Sequence, residues 1–143
     1  MLRGLLVRLG LVRRASVGAR GEDAAAAFLK RAGYVILDRN VRVPMGEADI
    51  VARVGENGGA AAGMIVLVEV KTRVVDPARP RPKAESQVGA FKRRKLLAIL
   101  NHLVKANGWE RVKKRIDIVA VEYATGDMDA APVVRHLVNA VKP

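Results

Sequence analysis

MIVLVEVKTR, residues 64–73, is the stretch on which the fold turns. Met64 to Val68 form an unbroken apolar run, and the residues are mostly the β-branched and aliphatic types that fill a sheet. A run of this length and type reads as a central strand covered on both faces. Glu69 and Lys71 then follow two positions apart, with Arg73 two further on. A period of two places all three on one face of the strand. An unpaired charge in an interior costs on the order of several kcal/mol. A buried strand that ends in a carboxylate and an ammonium is therefore holding them for a purpose.

Working outward from that strand, GENGGAAAG (55–63) is a hairpin loop, and EADIVARV (47–54) is its partner strand. Alternation puts Ala48, Ile50, Ala52 and Val54 on one face and Glu47, Asp49, Val51 and Arg53 on the other. Further upstream, PMG (44–46) makes a turn, and YVILDRNVRV (34–43) reads as one strand with an irregularity or as two short ones. RGEDAAAAFLKRAGY (20–34) is predicted helical: Ala25, Phe28, Leu29 and Ala32 recur at helical spacing, and Gly33 is a suitable stop. Glu22 lies three residues before Ala25 and shares its inward stripe. Downstream, VVDPARPRP (74–82) holds too many prolines for regular structure. The next segment, 83–109, is predicted as one long helix with Val88, Phe91, Leu96, Ile99, Leu100 and Leu103 buried, ended by Asn107–Gly108. RIDIVAVEY (115–123) and VVRHLVNAV (133–141) are the last two strands, joined by the loop TGDMDAAP. The order is helix, three strands, helix, strand, strand. That order gives an α/β sheet flanked by helices, its first three strands an antiparallel meander packed under a helix.

With 143 residues the chain is sized for one domain. The absence of cysteine excludes a disulfide scaffold, a Cys-ligated zinc site and thiol catalysis, and two His residues argue against a His-rich metal centre. His102 and His136 are read as structural, and Trp109 as core at the end of the long helix. A formal net charge of +12 points to a polyanion, nucleic acid first and anionic membrane second. Aromatics at 3% disfavour a module that stacks single-stranded bases on a sheet of rings. MLRGLLVRLGLVRR (1–14) is too short and too charged to span a bilayer and lacks a clean cleavage site. It is read as part of a basic N-terminal arm, residues 1–17, ahead of a single domain at 18–143; a membrane-surface or partner helix is the other reading. A cytoplasmic protein without a membrane span is expected.

Glu47, Asp49, Glu69 and Asp117 are carboxylates that the pattern drives toward adjacent strands, where they would repel one another without a positive charge among them. One solution is an ion-pair lattice in which Lys71 and Arg115 neutralise Asp49, Glu69 and Asp117. The other is an oxygen-ligand divalent site: Asp49 and Glu69 as carboxylates, the backbone carbonyl of Val70 as a third oxygen, and Lys71 beside the attacking water and the phosphate. Asp117 is better explained by pairing with Arg115 or a backbone amide. On the long helix, Lys92, Arg93, Arg94 and Lys95 form either a solvated basic face or a phosphate grip, with Lys92 the one to point inward.

The segments RGEDAAAAFLKRAGYVILDRNVR, GEADIVA, LVEVKTR, ESQVGAFKRRKLLA and RIDIVAV resemble the YraN-type bacterial branch of the PD-(D/E)XK nuclease superfamily, to which restriction enzymes and archaeal Holliday-junction resolvases belong. The resemblance spans residues 18 to 123. It implies a restriction-endonuclease-like mixed sheet, a site of Glu22, Asp49, Glu69 and Lys71, and Mg or Mn as cofactor. It also implies a phosphodiester-hydrolysing endonuclease acting on double-stranded, branched or structured DNA. Lys92, Lys95, Arg93 and Arg73 are the residues expected toward the nucleic acid, with a homodimer as one assembly. The branch carries a Phe-Gly pair after the E-x-K strand, where this chain has VVDPARPRP. A catalytically weak or inactive nucleic-acid-binding accessory protein of the same fold is the rival expectation, and a membrane-surface adaptor built on residues 1–14 the third.

Overall fold

In a computed structural model that describes residues 16–142, the chain forms a five-stranded sheet with one long helix on each face. Residues 1–15, which hold most of the expected arm, lie outside the described residues. Helix α1 spans Val17–Arg31. Ser16 caps it, its Oγ accepting from the Ala19 amide at 3.1 Å. The helix ends before Gly33, whose φ of 94° few other residues adopt. Strands β1 (Tyr34–Val43), β2 (Gly46–Val54) and β3 (Ile65–Val75) follow, then helix α2 (Ala90–Asn107), β4 (Lys114–Ala124) and β5 (Val133–Val141). The spatial order is β1-β2-β3-β4-β5. All neighbours are antiparallel except β3 and β4, which run parallel because α2 crosses over between them. This is the element order expected from the sequence, and the mixed sheet flanked by helices is the expected architecture.

The sheet is buried on both sides, and each face owns a core. On one side Leu96, Ile99, Leu100 and Leu103 of α2 pack on Leu67, Ile116 and Ile118. On the other, Ala25, Ala26 and Leu29 of α1 pack on Val66, Val68, Val119 and Val121. The apolar run of β3 supplies both cores alternately, which is why it is apolar without interruption. The α1 helix lies close to the sheet through Gly21: a Cβ there would stand 1.9 Å from Thr72 Oγ1. That contact sets the height of the neighbouring Glu22 above β3.

Three sequence expectations change. The long helix begins at Ala90 rather than near residue 83, because Val88 and Gly89 are extended and only a short 3-10 turn, Ala84–Gln87, precedes them. Glycine inside the expected helix is the physical cause, since it is the residue that loses most on helix formation. Phe91 then falls on the first turn with its side chain in solvent, 75% exposed, not in the buried stripe. Ala48 packs in the α2 core, apart from Ile50, Ala52 and Val54 in the α1 core. It lies just beyond Ile50, the last β2 residue paired with β3.

Candidate functional site

The site forms where β2 leaves β3. Pairing between the two runs only from Arg53↔Ile65 to Ile50↔Val68. On its other side β3 stays paired with β4 as far as Val75↔Ala124. From Glu69 onward, the β3 edge that faced β2 is no longer covered by a ladder. Asp49 takes over: its Oδ2 accepts from the Val70 amide at 2.8 Å, in the place a backbone carbonyl would occupy. An extended residue presents its N–H and C=O to the same edge. The Val70 carbonyl therefore faces the same opening as Asp49.

Groups from both faces of the sheet meet at this opening. Glu69 lies on the α2 side and is 4% exposed. Lys71 Nζ is 3.6 Å and Lys92 Nζ 3.1 Å from the same oxygen, Glu69 Oε1. Glu22 comes from α1 on the other side. Asn40, at a φ of 53° in β1, sits with its carboxamide 3.0 Å from Glu22 Oε2 and 3.2 Å from Glu47 Oε1. Carboxylates only accept, so the amide nitrogen faces them and donates to both. The Asp49 carboxyl is pushed up to about 7, first by burial, then by the charge of Glu69 and, less, of Glu22, against the opposing hydrogen bond from Val70. Removing charge from water and crowding it with like charge both favour the protonated form.

The structure therefore brings Asp49, Glu69, Lys71 and Lys92 together, with Glu22 close enough for its charge to act on Asp49. The other expected contact residues lie outside this cluster. Arg73, expected toward nucleic acid, is bound to Glu122 at 3.3 Å, and its guanidinium is largely buried. Glu122 is shared with Arg135, which also holds Glu85 at 2.8 Å and so ties the 3-10 turn to β5. Lys95 lies along the β1–β2 turn, its Cε 2.7 Å from where a Cβ on Gly46 would stand. Arg93 is solvent-exposed and uses Nε to bond the Val88 carbonyl at 3.2 Å. Glu47 pairs across the strands with Arg42 at 3.6 Å.

Asp117 is separate from the site and wholly buried. Arg115 Nε donates to it at 2.9 Å and the Asn139 amide at 2.8 Å, and His136 Nε2 lies 2.8 Å away. Burial pushes the Asp117 carboxyl up, but these bonds outweigh it and hold it below the usual carboxylate value. Arg115 is thus spent on Asp117 and does not reach Asp49 or Glu69. The single lattice imagined from the sequence is two clusters. His136 keeps a structural role, but as a partner of Asp117, with Phe28 and Tyr34 edge-on to its ring. Asn40 and Lys92's direct contact with Glu69 are what the sequence did not specify. The available signal for Asn40 was its type, since Asn is depleted in strand interiors.

Among the described residues, no three Asp, Glu or His side chains form a ready-made cation cage. The donors that do converge are all oxygens: two carboxylates, a third nearby and one carbonyl edge. That set suits a hard divalent ion, which is held by one or two carboxylates and completes its shell with water and phosphate.

A mixed α/β sheet with an acidic, lysine-bearing opening at a frayed strand edge is the class that fold and site define. Within it, the chain belongs to the uncharacterised protein family UPF0102, whose profile matches residues 21–121. This is the family to which the YraN-type resemblance pointed. A UPF0102 protein of Syntrophotalea carbinolica is 40% identical over 109 residues, covering 76% of this chain and 80% of the relative. Another, from Geobacter sulfurreducens, is 37% identical over 126 residues and covers 87% of each. Among solved structures, the EndoMS-dsDNA2 complex aligns over 73% of this chain and 37% of that one, at 19% identity and a TM-score of 0.41. Among the described residues no helix is long and apolar enough to cross a membrane.

Proposed function

We propose that the protein is a divalent-metal-dependent endonuclease that hydrolyses phosphodiester bonds in DNA. The observation that carries this is the Asp49 carboxylate, bonded to the Val70 amide at 2.8 Å, beside a buried Glu69 with two lysine ammonium groups on it. Asp49, Glu69 and the Val70 carbonyl would hold Mg or Mn, with Glu22 reaching the ion or its water shell. Such an ion, when bound, draws electron density from a phosphate oxygen and makes water a stronger nucleophile. The chain's own groups do the rest. The edge of β3 fixes Glu69 and Val70 on a strand rigidly paired to β4, so the donors do not reorganise as charge develops. Lys71 keeps a positive charge against the reacting phosphate and orients the attacking water. Lys92 balances Glu69 and, were a cation held there, would be placed to meet phosphate.

A second reading rests on that same balance. Two lysines on Glu69 neutralise it without any ion, as a catalytically inactive nucleic-acid-binding accessory protein would require. The two readings part in one experiment. Duplex, single-stranded, flapped and four-way DNA are incubated with Mn²⁺ and the protein, with Lys71→Ala as control. Cleavage by the parent, lost in Lys71→Ala while DNA binding persists, is the expected result. No cleavage, together with no Mn²⁺ binding heat that Asp49→Ala removes, would leave the accessory protein.

A further inference from the structure

We infer that Phe91 and the β1–β2 turn form a base-contacting wedge beside the site, selecting DNA that offers an unstacked base over continuous duplex. This rests on the nuclease reading for its purpose, but not for its test. The chain is poor in aromatic residues, and the rest of them are packed: Phe28 and Tyr34 lie edge-on to His136, Tyr123 is buried under Arg20, and Trp109 is partly buried on the α2 core. Phe91 alone of these stands in solvent, 75% exposed.

Its position is defined by its neighbours. Lys92, the next residue, reaches Glu69 at 3.1 Å, so the first turn of α2 overhangs the opening. Lys95, one turn on from Phe91, shares its side of the helix and lies along Gly46. Met45, next to Gly46 and also exposed, is the apolar residue at the tip of that turn. Phe91, Lys95 and Met45 thus make an apolar–basic–apolar flank, with the exposed Arg93 and Arg94 on the same helical turn. A bare ring with Arg94 and Lys95 one turn on along its side of the helix fits a ligand that is both anionic and flat. Nucleic acid has this chemistry at every nucleotide, but only an unpaired or unstacked base presents its face. A duplex would meet Phe91 with its backbone and gain nothing from the ring. Burying the ring in a protein partner would instead require that partner to accept the flanking charge of Arg93, Arg94 and Lys95.

The test uses the full chain in metal-free buffer, so that it does not depend on cleavage. Oligonucleotides carrying 2-aminopurine in a flap, or within a continuous duplex, are titrated with parent protein, Phe91→Tyr, Phe91→Leu and Phe91→Ala. In the parent and Phe91→Tyr, the flap base is expected to lose fluorescence on stacking. Phe91→Ala and Phe91→Leu should lose that quenching and bind the flap about tenfold more weakly, with duplex affinity and melting temperature unchanged. Equal losses on flap and duplex, or no loss on either, overturn the inference. A Phe91-dependent dimer by sedimentation also overturns it, since a second copy would then be what covers the ring. If the parent fails to cleave any DNA but the flap quenching holds, the nuclease reading falls and the wedge stands; cleavage without flap-specific quenching has the reverse meaning.

Discussion

Glu69 has two ammonium groups within 4 Å, whereas among the described residues Asp49 has none and has the carboxylate of Glu69 beside it; this asymmetry governs what each substitution does. The Asp49 carboxyl titrates near 7 in the fold, against 3.8 for its ordinary value. Between those two pH values the folded chain keeps a proton that the unfolded chain has released, so stability falls as pH rises and the loss is complete above about 7. One pKa unit corresponds to about 1.4 kcal/mol, which makes the cost a few kcal/mol at most. Asp49→Asn retains an oxygen for the Val70 amide and cannot ionise. Its metal-free melting temperature should exceed the parent's at pH 8, converge with it only below about pH 4, and no longer rise with Mn²⁺. A variant less stable than the parent at pH 8 would show that Asp49 is neutralised by a cation in the fold. The two lysines make a sharper case. Because Lys92 remains on Glu69, Lys71→Ala should change stability by less than about 1 kcal/mol. Removing both should cost on the order of 3 kcal/mol, well beyond the sum of the single changes, since Glu69 is then buried without a partner. In single-turnover cleavage, Lys71→Ala should lose far more rate than DNA or Mn²⁺ affinity, and Lys71→Arg should restore little of it, because a planar guanidinium is larger and does not place its charge at the same point as the compact ammonium.

At the scale of elements, the site depends on one docking contact and one divergence. The α1 helix approaches β3 through Gly21 over Thr72. Gly21→Ala should destabilise by roughly 1–3 kcal/mol through overpacking, and should weaken Mn²⁺ binding by lifting Glu22. Thr72→Ala in the same chain should recover part of both, measured by melting and calorimetry; full additivity of the two changes would mean that the residues do not meet. These elements were largely legible in the sequence because their signals are local. The apolar run of β3, the helical spacing in α1 and the Gly108 stop, at a φ of 68°, each act within a few residues. What was not legible is what depends on partners far along the chain. Phe91 was placed in the buried stripe, but the helix starts only at Ala90, and Phe91 stands in solvent on its first turn, off the face that Leu96 and Leu103 bury. Arg73 follows Lys71 on the same strand face, yet Glu122 of β4 lies directly opposite in register and takes it. The pairing of Asp117 with Arg115 was legible, because the two lie two apart on one strand; Tyr34 and His136, which complete that cluster from β1 and β5, were not. Asp49 and Glu69 were legible as a pair because a hairpin joins their strands, whereas the loss of pairing beyond Ile50 that opens the site has no marker in the sequence.

At the scale of the whole molecule, the charge is the property that acts first. A formal net charge of +12 on 143 residues raises the local concentration of any polyanion and should give sequence-independent DNA binding dominated by phosphate contacts. Each neutralised phosphate releases condensed counterions, so log K should fall linearly with log salt, by about 0.9 for each contact on duplex DNA. A slope near zero would mean that the charge is balanced within the protein and is not used on a ligand. Part of this charge lies in residues 1–14, which carry Arg3, Arg8, Arg13 and Arg14 and no acidic residue. Among the described residues, the two cores are built from positions between Val17 and Val141. Removing residues 1–14 should therefore leave the melting temperature unchanged, weaken DNA binding at low salt, and flatten the salt slope by the number of phosphates those arginines contact. The Asp49–Glu69–Lys71 chemistry should survive: once DNA is saturating, the truncated chain should cleave at the parent's single-turnover rate. A truncated chain that melts early would show that the segment belongs to the fold. One that binds normally but cleaves slowly would place it at the site itself.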